Sequence, residues 1–366
     1  MFFELLDKLE KEFKLINKSQ SLKNIQFKDI SKYENIKLLF KDLSYQELEK
    51  LSIKAKKITE YFFGKTILLY TPLYISDYCI NGCLYCGFSN LNKVERKKLS
   101  PAEIESEMRS IRKQGFNTIL ILTGEDRINS PFDYILDSIK IAKKYFSEIL
   151  IEVYPLKEQE YEKLVENGLT GITLYQETYD RALYDKVHRY GPKKNFKSRI
   201  DAIERAIKAK VKEINIGPLL GLNKNWQFDV YMTLMHAMYL EDTYPDVEIS
   251  ISYPRIQESF SKIKVYPVSN KDFVKTIMIT RIILPRVGIN ISTRECAYMR
   301  DNLIGLGMTK MSAESKTTVA GHSVKSGNEK QFEIQDKRLL DEIVQVIKEK
   351  GYRPEFTNWV NIYERF

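Results

Sequence analysis

The sequence predicts an α/β protein built as a (β/α)₈ barrel. Short apolar strands alternate with amphipathic helices eight times over roughly 250 residues, and this number of units and this length are typical of such a barrel. Each strand also begins apolar and ends in polar or reactive residues. In a barrel the carboxyl ends of the strands meet on one face, where active sites lie. An open doubly wound sheet is the competing architecture, because alternation alone does not show that the sheet closes.

Eight strands are predicted, at 66–74, 117–125, 148–155, 171–177, 213–221, 248–255, 289–295 and 308–315. The clearest helix begins after Ser100, where Pro101 takes the first helical position and Glu103 completes a capping box. This helix is predicted to run to Gly115. Further helices are predicted at 132–146, 157–168, 195–210, 228–244 and 271–288.

Three regions are predicted along the chain. Residues 1–60 form an N-terminal helical extension, residues 61–320 form the barrel, and residues 321–366 form a C-terminal segment that packs on the barrel. The C-terminal segment contains a predicted helix at 337–351. We find no low-complexity linker and no composition shift between these regions.

The composition is that of an ordinary globular protein, with 43% hydrophobic and 29% charged residues among 366. No apolar run reaches the ~18 residues that cross a bilayer, and the first residues mix acids with lysines, unlike a secretory signal. We therefore expect a cytoplasmic protein without membrane contact. The net charge of +9 is spread along the chain without a basic block, so solvated helix faces are favoured over nucleic-acid binding.

The stretch "YISDYCINGCLYCGFSN" (74–90) holds Cys79, Cys83 and Cys86, and the fourth cysteine, Cys296, lies far away. Three is the wrong number for disulfides, which are also rare in a reducing compartment. A structural zinc site requires four ligands, and the histidines are isolated in the sequence: His188, His236 and His322. A [4Fe–4S] cluster takes thiolate ligands on its irons. Three cysteines would hold three irons and leave the fourth open to bind another molecule.

Tyr85 precedes the last of these cysteines, and with it the loop resembles the signature of the radical S-adenosylmethionine (SAM) enzymes. This resemblance implies a [4Fe–4S] cluster whose open iron is chelated by the amino and carboxylate groups of SAM. An electron from the cluster then splits SAM into methionine and a 5′-deoxyadenosyl radical. The superfamily places this cysteine loop directly after the first strand of its barrel.

The resemblance also implies which residues hold SAM. "LTGE" (122–125) is similar to the superfamily's glycine–glycine–glutamate motif, with Thr123 in place of the first glycine, so Glu125 is expected to accept hydrogen bonds from the SAM amino group. Glu152 and Glu177 end strands three and four and are placed to hold the ribose hydroxyls or other polar groups. Arg199 is suited to the SAM carboxylate. A surface ion pair of Arg199 with Asp201 or Glu204 is an alternative of nearly equal weight.

Longer stretches resemble one family within this superfamily, the ThiH tyrosine lyases (2-iminoacetate synthases) of anaerobic thiamine biosynthesis. These stretches are 152–180, 188–206, 216–226, 250–260, 289–315 and 331–338. The resemblance implies cleavage of the Cα–Cβ bond of L-tyrosine to p-cresol and dehydroglycine (2-iminoacetate). It also implies thiazole synthase as the consumer of dehydroglycine and a flavodoxin or ferredoxin as the electron donor. Such donors are usually acidic, which suits a positively charged protein.

Three alternatives stay open. A related tyrosine lyase makes carbon monoxide and cyanide for the hydrogenase cofactor, but it needs a second cluster bound by three more cysteines, and Cys296 is the only other thiol here. A tryptophan lyase of the same superfamily is more distant. A non-enzymatic iron–sulfur scaffold or sensor is the third alternative, and it would have no use for Glu125, Arg199 and Arg294 on one face of the barrel.

For the substrate, an amino acid requires a carboxylate clamp in a dry pocket. Arg294 at the end of strand seven is predicted to bind the carboxylate, supported by Ser312 from strand eight and Tyr74 from strand one. Arg255 is predicted to contribute from strand six. For Tyr74 and Arg255, packing and ion pairing at the barrel rim are equally good explanations.

Two residues depart from the family pattern. His322 stands where the family usually has tyrosine, and Cys296 follows "STRE" where another residue type is common. If either side chain lined the pocket, the substrate preference would be expected to differ from tyrosine.

Overall fold

The computed structural model describes residues 1–18, 30–256, 263–323 and 330–358. Eight parallel strands form a closed barrel, because each strand pairs with the next and the eighth pairs with the first. The predicted barrel is therefore confirmed over the open sheet. The strands are β1 (Thr66–Ser76), β2 (Thr118–Thr123), β3 (Glu148–Glu152), β4 (Gly171–Thr173), β5 (Glu213–Ile216), β6 (Glu248–Ser252), β7 (Gly288–Ile291) and β8 (Lys310–Ser312).

Helices precede, connect and follow these strands. They are α1 (Leu6–Lys18), α2 (Ile30–Lys37), α3 (Tyr45–Phe63), α4 (Pro101–Lys113), α5 (Phe132–Ala142), α6 (Glu158–Glu166), α7 (Arg181–Val187), α8 (Phe196–Lys208), α9 (Trp226–Thr243), α10 (Asn270–Ile283), α11 (Ala297–Leu303) and α12 (Leu340–Glu349). Short 3₁₀ turns cover Phe2–Leu5, Leu38–Phe40 and Pro192–Lys194. No helix in the described part of the chain is long and apolar enough to span a membrane.

The capping box of α4 forms as its sequence predicts. The Ser100 amide donates to the Glu103 carboxylate at 2.8 Å, and the Glu103 amide donates to the Ser100 hydroxyl at 3.3 Å. The helix begins at Pro101 and ends at Lys113, two residues before Gly115.

Most strands end earlier than the apolar pattern predicts, and β4 covers only Gly171–Thr173 of the predicted 171–177. Apolar residues past the strand ends, such as Leu174 and Leu219, remain buried in the rim loops. Burial in a loop and burial in a strand leave the same sequence pattern, so this pattern overestimates strand length. The rim loops that replace the predicted strand ends carry most of the site.

The amino ends of the strands close the opposite end of the barrel. Lys310 of β8 and Glu213 of β5 form a buried ion pair at 2.5 Å. A ninth strand, β9 (Arg353–Glu355), pairs with the first residues of β1 and was not predicted. Its sequence, "RPE", carries no strand pattern, so the pairing depends on where the chain arrives after α12.

Residues 330–336, which lie between β8 and α12, cross the mouth of the barrel. The amide of Gly87 in the cysteine loop donates to the Gln331 carbonyl at 3.1 Å, and the Gln331 amide donates to the Thr317 carbonyl at 2.8 Å. A side chain at Gly87 is excluded, because its Cβ would lie 2.1 Å from the Lys330 carbonyl oxygen. A buried ion pair between Arg300 and Asp336 anchors the far end of the segment. This segment therefore forms a wall of the barrel mouth.

Candidate active site

One cavity at the carboxyl ends of the strands brings together eleven of the twelve predicted site residues. Its empty volume is about 1230 Å³, which includes the open space at its mouth. The predicted residues that line it are Tyr74, Cys79, Cys83, Tyr85, Cys86, Glu125, Glu152, Glu177, Arg199, Arg294 and Ser312. Arg255 is the exception.

The three cysteines of the loop after β1 carry free thiols, and all face this cavity. Burial raises the pKa of Cys83 well above its ordinary value, and the nearby Cys86 and Cys79 raise it further. Within the described ranges, no three His, Cys, Asp or Glu side chains lie close enough together to hold one metal ion. Three thiols that line one cavity are of the ligand type that a [4Fe–4S] cluster takes, with each thiolate binding a different iron.

Glu125 lies beside the cysteines and accepts hydrogen bonds from two side chains. Asn81 donates to one carboxylate oxygen at 2.9 Å and Arg199 to the other at 2.7 Å. Burial opposes ionisation of Glu125, but Arg199 and Lys193 outweigh it and hold the pKa of Glu125 below its ordinary value. The result is an ionised carboxylate that is suited to bind an ammonium group.

Arg199 is buried, at 5% exposure, and its Nε donates to the Tyr175 carbonyl at 2.7 Å. The alternative surface ion pair is not observed, since Asp201 pairs with Lys197. Gly124 allows the cysteine loop to pack against the end of β2, because a Cβ there would lie 2.2 Å from the Tyr78 carbonyl oxygen.

Lys193 is a residue of the cavity that sequence analysis missed. Its ammonium lies 2.7 Å from Glu177, and both side chains are about 10% exposed. Glu177 itself adopts a left-handed backbone with φ of 70°, which turns the chain out of β4 at the rim. Lysine is abundant in this sequence, so its residue type gave no signal. Only its place in the stretch 188–206 marked it.

Glu152 at the end of β3 faces the same cavity. Burial raises its pKa to about 7, and the charge of Glu177 raises it further against the opposing charges of Lys193 and Arg294. Burial and nearby charges, and no hydrogen bond, act on its carboxylate among the described residues. Glu152 is therefore the acceptor in this cavity that a ligand hydroxyl can most readily use.

We expect Glu152 to make the cluster-free protein less stable as the pH rises. Its pKa is about 7 in the folded state and near 4.5 in the unfolded state, so the unfolded chain releases the proton first. The loss develops between pH 4.5 and pH 7 and amounts to about 3 kcal/mol. Glu152→Gln should match the wild type in urea unfolding near pH 4.5 and exceed it by about this amount at pH 8. The exposed Glu162→Gln is the control, and an equal gap at both pH values would contradict the assignment.

Tyr85 is held by His188, a histidine that looked isolated in the sequence. The Tyr85 hydroxyl lies 2.7 Å from Nε2 of His188, and Nδ1 lies 2.9 Å from the Tyr184 carbonyl. A carbonyl only accepts, so Nδ1 carries the proton and Nε2 accepts from Tyr85. Burial lowers the pKa of His188 to about 2, which keeps the ring neutral. The His188 backbone also pairs with Cys83.

Arg294, Ser312 and Tyr74 line the wall opposite the glutamates. The Arg294 guanidinium carbon lies 3.3 Å from the centre of the Phe332 ring, and no carboxylate pairs with it in the part of the chain described here. The Tyr74 hydroxyl donates to Gln331 at 2.6 Å. Gln331 and Phe332 come from the segment that crosses the barrel mouth, and sequence analysis missed both.

Arg255 does not line this cavity, contrary to its predicted position. It forms a buried ion pair with Glu295 and donates to Asn270 at 2.8 Å, in an adjoining cavity. These bonds correspond to the alternative of ion pairing at the rim.

The two departures from the family pattern also lie outside the cysteine cavity. Cys296 is exposed on the adjoining cavity. His322 packs between α4 and β1, where its amide donates to Glu107 at 2.7 Å and its Nε2 donates to the Pro72 carbonyl at 3.2 Å. Neither side chain lines the cysteine cavity, so neither is placed to alter the substrate preference.

Comparison with known proteins agrees with this site. Residues 73–233 match the model of the radical SAM superfamily, and residues 253–353 match the biotin and thiamin synthesis associated domain. The chain is 35% identical over 313 residues to the 2-iminoacetate synthase of Escherichia coli (strain K12), covering 85% of this chain and 83% of that protein.

Two solved structures are also similar. The crystal structure of HydG, a maturase of the [FeFe]-hydrogenase, has a TM-score of 0.88 at 29% identity and covers 98% of this chain and 82% of that chain. HydG from Carboxydothermus hydrogenoformans has a TM-score of 0.84 at 31% identity and covers 98% of this chain and 83% of that chain.

A closed barrel with three clustered cysteines after β1 and an ionised glutamate after β2 defines a radical SAM enzyme. Within that superfamily, the chain belongs to the 2-iminoacetate synthase family.

Proposed function

We propose that this protein is a carbon–carbon lyase that cleaves the Cα–Cβ bond of L-tyrosine to 2-iminoacetate and p-cresol, for synthesis of the thiamine thiazole. The observation that carries the substrate class is Arg294, a guanidinium without a carboxylate partner among the described residues, in the same cavity as the three cysteines. When bound, the [4Fe–4S] cluster and SAM supply the 5′-deoxyadenosyl radical that abstracts hydrogen, and SAM is cleaved to methionine and 5′-deoxyadenosine.

The residues near the cysteine loop bind and orient these groups. Cys79, Cys83 and Cys86 would hold three irons of the cluster, and Glu125 would accept a hydrogen bond from the SAM amino group. Arg199 donates to Glu125 at 2.7 Å, so it keeps this carboxylate ionised and fixes its orientation. We propose that Arg199 also binds the SAM carboxylate.

Other side chains hold the adenosyl part of SAM. Glu152 accepts from the ribose hydroxyls, and Glu177 acts there through its contact with Lys193. Tyr85, pinned by His188, presents a fixed ring face to the adenosyl group.

On the opposite wall, Arg294 binds the tyrosine carboxylate as a charge-assisted pair. Ser312 and Tyr74 provide hydroxyls near the amino-acid end, and Phe332 holds the Arg294 guanidinium in place. The aromatic rings of Tyr70, Tyr175 and Phe88 line the same cavity and exclude water from it. A dry cavity strengthens the ionic contact with the substrate.

The expected partners follow from the products and the cofactor. 2-Iminoacetate hydrolyses in water, so thiazole synthase is proposed to take it up directly. A flavodoxin or ferredoxin is proposed to reduce the cluster in the cytoplasm. Arg255 lies in the adjoining cavity, where it pairs with Glu295 and donates to Asn270.

Anaerobic turnover of the reconstituted protein with SAM, dithionite and L-tyrosine tests the function. We expect p-cresol, 5′-deoxyadenosine and glyoxylate from hydrolysed 2-iminoacetate, without cyanide. Cyanide would instead support the alternative of a hydrogenase-cofactor lyase, with which the structural similarity to HydG is also consistent. Deoxyadenosine without p-cresol from tyrosine would refute the substrate, and indole products from tryptophan would point to a tryptophan lyase. An intact cluster with neither product would favour the iron–sulfur scaffold.

Replacing His188 with leucine should weaken SAM binding about tenfold, because the Tyr85 hydroxyl loses its acceptor and its buried position then costs about 1–3 kcal/mol. His188→Gln retains an acceptor and should restore part of the affinity. His236→Leu is the matched control, since His236 is also buried and contacts the Tyr179 hydroxyl at 2.9 Å, remote from the cavity. SAM affinity is measured from the change in the electron paramagnetic resonance spectrum of the reduced cluster. Equal effects of the two leucine variants on SAM affinity would assign His188 a structural role only.

A further inference from the structure

The chain segment after α7 pairs along the cysteine loop. The Leu84 amide donates to the Val187 carbonyl at 3.0 Å, the Arg189 amide to the Gly82 carbonyl at 3.1 Å and the Gly82 amide to the Tyr190 carbonyl at 3.0 Å. This antiparallel pairing places Arg189 and Tyr190 beside Gly82, which lies between Cys79 and Cys83 in the sequence. Arg189 and Tyr190, which this pairing brings beside the cysteine loop, are both solvent-exposed.

Two large apolar side chains are exposed at this point. Tyr190 is 40% exposed and Ile80 is 38% exposed. The Tyr190 ring packs directly on the backbone of Gly82, where a Cβ would lie 2.7 Å from the Cε1 atom of the ring. A single aromatic ring thus separates the backbone of the cysteine loop from solvent here. Ile80 and Tyr190 give this side of the cysteine loop an exposed apolar centre.

Positive charge flanks this apolar centre. Lys93, Lys186 and Arg189 are exposed and make no ion pair within the described ranges, and exposed Lys194 pairs with Asp185 at 2.7 Å. The exposed carboxylates in these segments, 90–95 and 185–194, are Glu95 and Asp185. Exposed cations therefore outnumber exposed carboxylates in these two segments, as cations outnumber acids in the chain as a whole.

We propose that this surface, formed by Ile80, Tyr190, Arg189, Lys186 and Lys93 and called here the loop-cap surface, docks a small acidic one-electron carrier. The inference rests on the proposed function, which requires a reduced cluster. One electron leaves the carrier, which is oxidised by one electron, and enters the cluster, with no transfer of atoms. An apolar centre with a charged rim suits a transient redox contact of modest area, and the cationic rim steers an acidic partner.

To test this docking site, the charge of the loop-cap surface is reversed with Lys186→Glu/Arg189→Glu. A flavodoxin with its reductase serves as the probe. The affinity of the reconstituted protein for flavodoxin is measured by calorimetry at low and high salt. Formation of 5′-deoxyadenosine is measured with flavodoxin and, separately, with dithionite. Lys54→Glu/Lys57→Glu is the matched control, because these exposed lysines belong to α3, whose buried face packs against α10.

We expect the Lys186/Arg189 variant to bind flavodoxin about tenfold more weakly at low salt, with little difference at high salt. Its flavodoxin-driven rate should fall by a similar factor, whereas the dithionite-driven rate should stay near that of the wild type. Tyr190→Ser should weaken flavodoxin binding at both salt concentrations. Unchanged flavodoxin affinity and rate in both variants, or an equal loss in the α3 control, would overturn the docking site. Failure of the proposed function is distinguishable, since the wild type would then lack p-cresol even with dithionite.

Discussion

Replacing Cys83 with alanine should abolish both the cluster and all SAM cleavage. Cys83 is buried at the centre of the loop, with Cys79 and Cys86 on the same cavity. Two remaining thiolates leave two irons of the cluster without a protein ligand. After anaerobic reconstitution we expect about four irons per chain in the wild type and only residual iron in the variant. Iron analysis and the visible absorption of the cluster measure this directly.

Cys296→Ala is the matched control for the Cys83 variant. Cys296 is the remaining cysteine of the sequence, and it is exposed on the adjoining cavity. Its removal should leave the iron content, the absorption spectrum and the yield of 5′-deoxyadenosine unchanged. A variant without Cys83 that kept a full cluster, or a loss of iron on removal of Cys296, would overturn the ligand assignment.

Replacing Arg294 with alanine should lower kcat/KM for tyrosine cleavage on the order of 100- to 1000-fold. Loss of one partner from a desolvated charge pair costs about 2–5 kcal/mol, and each 1.4 kcal/mol is a factor of ten. The cluster and its spectral response to SAM should be preserved, because Arg294 packs on Phe332 and is a predicted ligand of neither the cluster nor SAM. Initial rates of p-cresol formation give the loss, and iron content with SAM titration shows that the cofactors still bind.

Two further variants separate the roles of the arginines. Arg294→Lys keeps the charge but loses the planar fork and the contact with Phe332, so it should recover only part of the activity. Arg255→Lys keeps a cation beside the buried Glu295, and a much smaller effect is expected. Full turnover by Arg294→Ala would show that another group binds the substrate carboxylate.

The loop residues of the site were readable in the sequence because they depend on local spacing. Cys79, Cys83, Cys86 and Tyr85 lie within eight residues, and the strand-ending positions of Glu125 and Arg294 follow from the alternation of strands and helices. Closure of the barrel explains why these strand ends converge. The capping box at Ser100 was equally readable, since it needs only residues three apart.

Residues whose function depends on distant neighbours were not readable. Lys193 resembles any other lysine until Glu177 lies 2.7 Å away, and His188 appeared isolated until it contacted Tyr85. Arg255 was expected in the substrate pocket, but Glu295 holds it in the adjoining cavity. For each of these residues, the partner lies 16 or more positions away in the chain, so no local spacing predicts it.

The sequence by itself determined the barrel, the cluster ligands and the family, because periodicity and short-range spacing can be read directly from the order of the residues. Only the tertiary structure decided which side chains complete the cavity walls. Gln331 and Phe332 reach Tyr74 and Arg294 from more than thirty residues away because the segment after β8 is anchored to Gly87 and Thr317. The charge states of Glu125 and Glu152 were also decided there, since burial and neighbouring charges lower the pKa of the first and raise that of the second to about 7. Coulombic and desolvation energies depend on distances in space, and these exist only once the chain has folded.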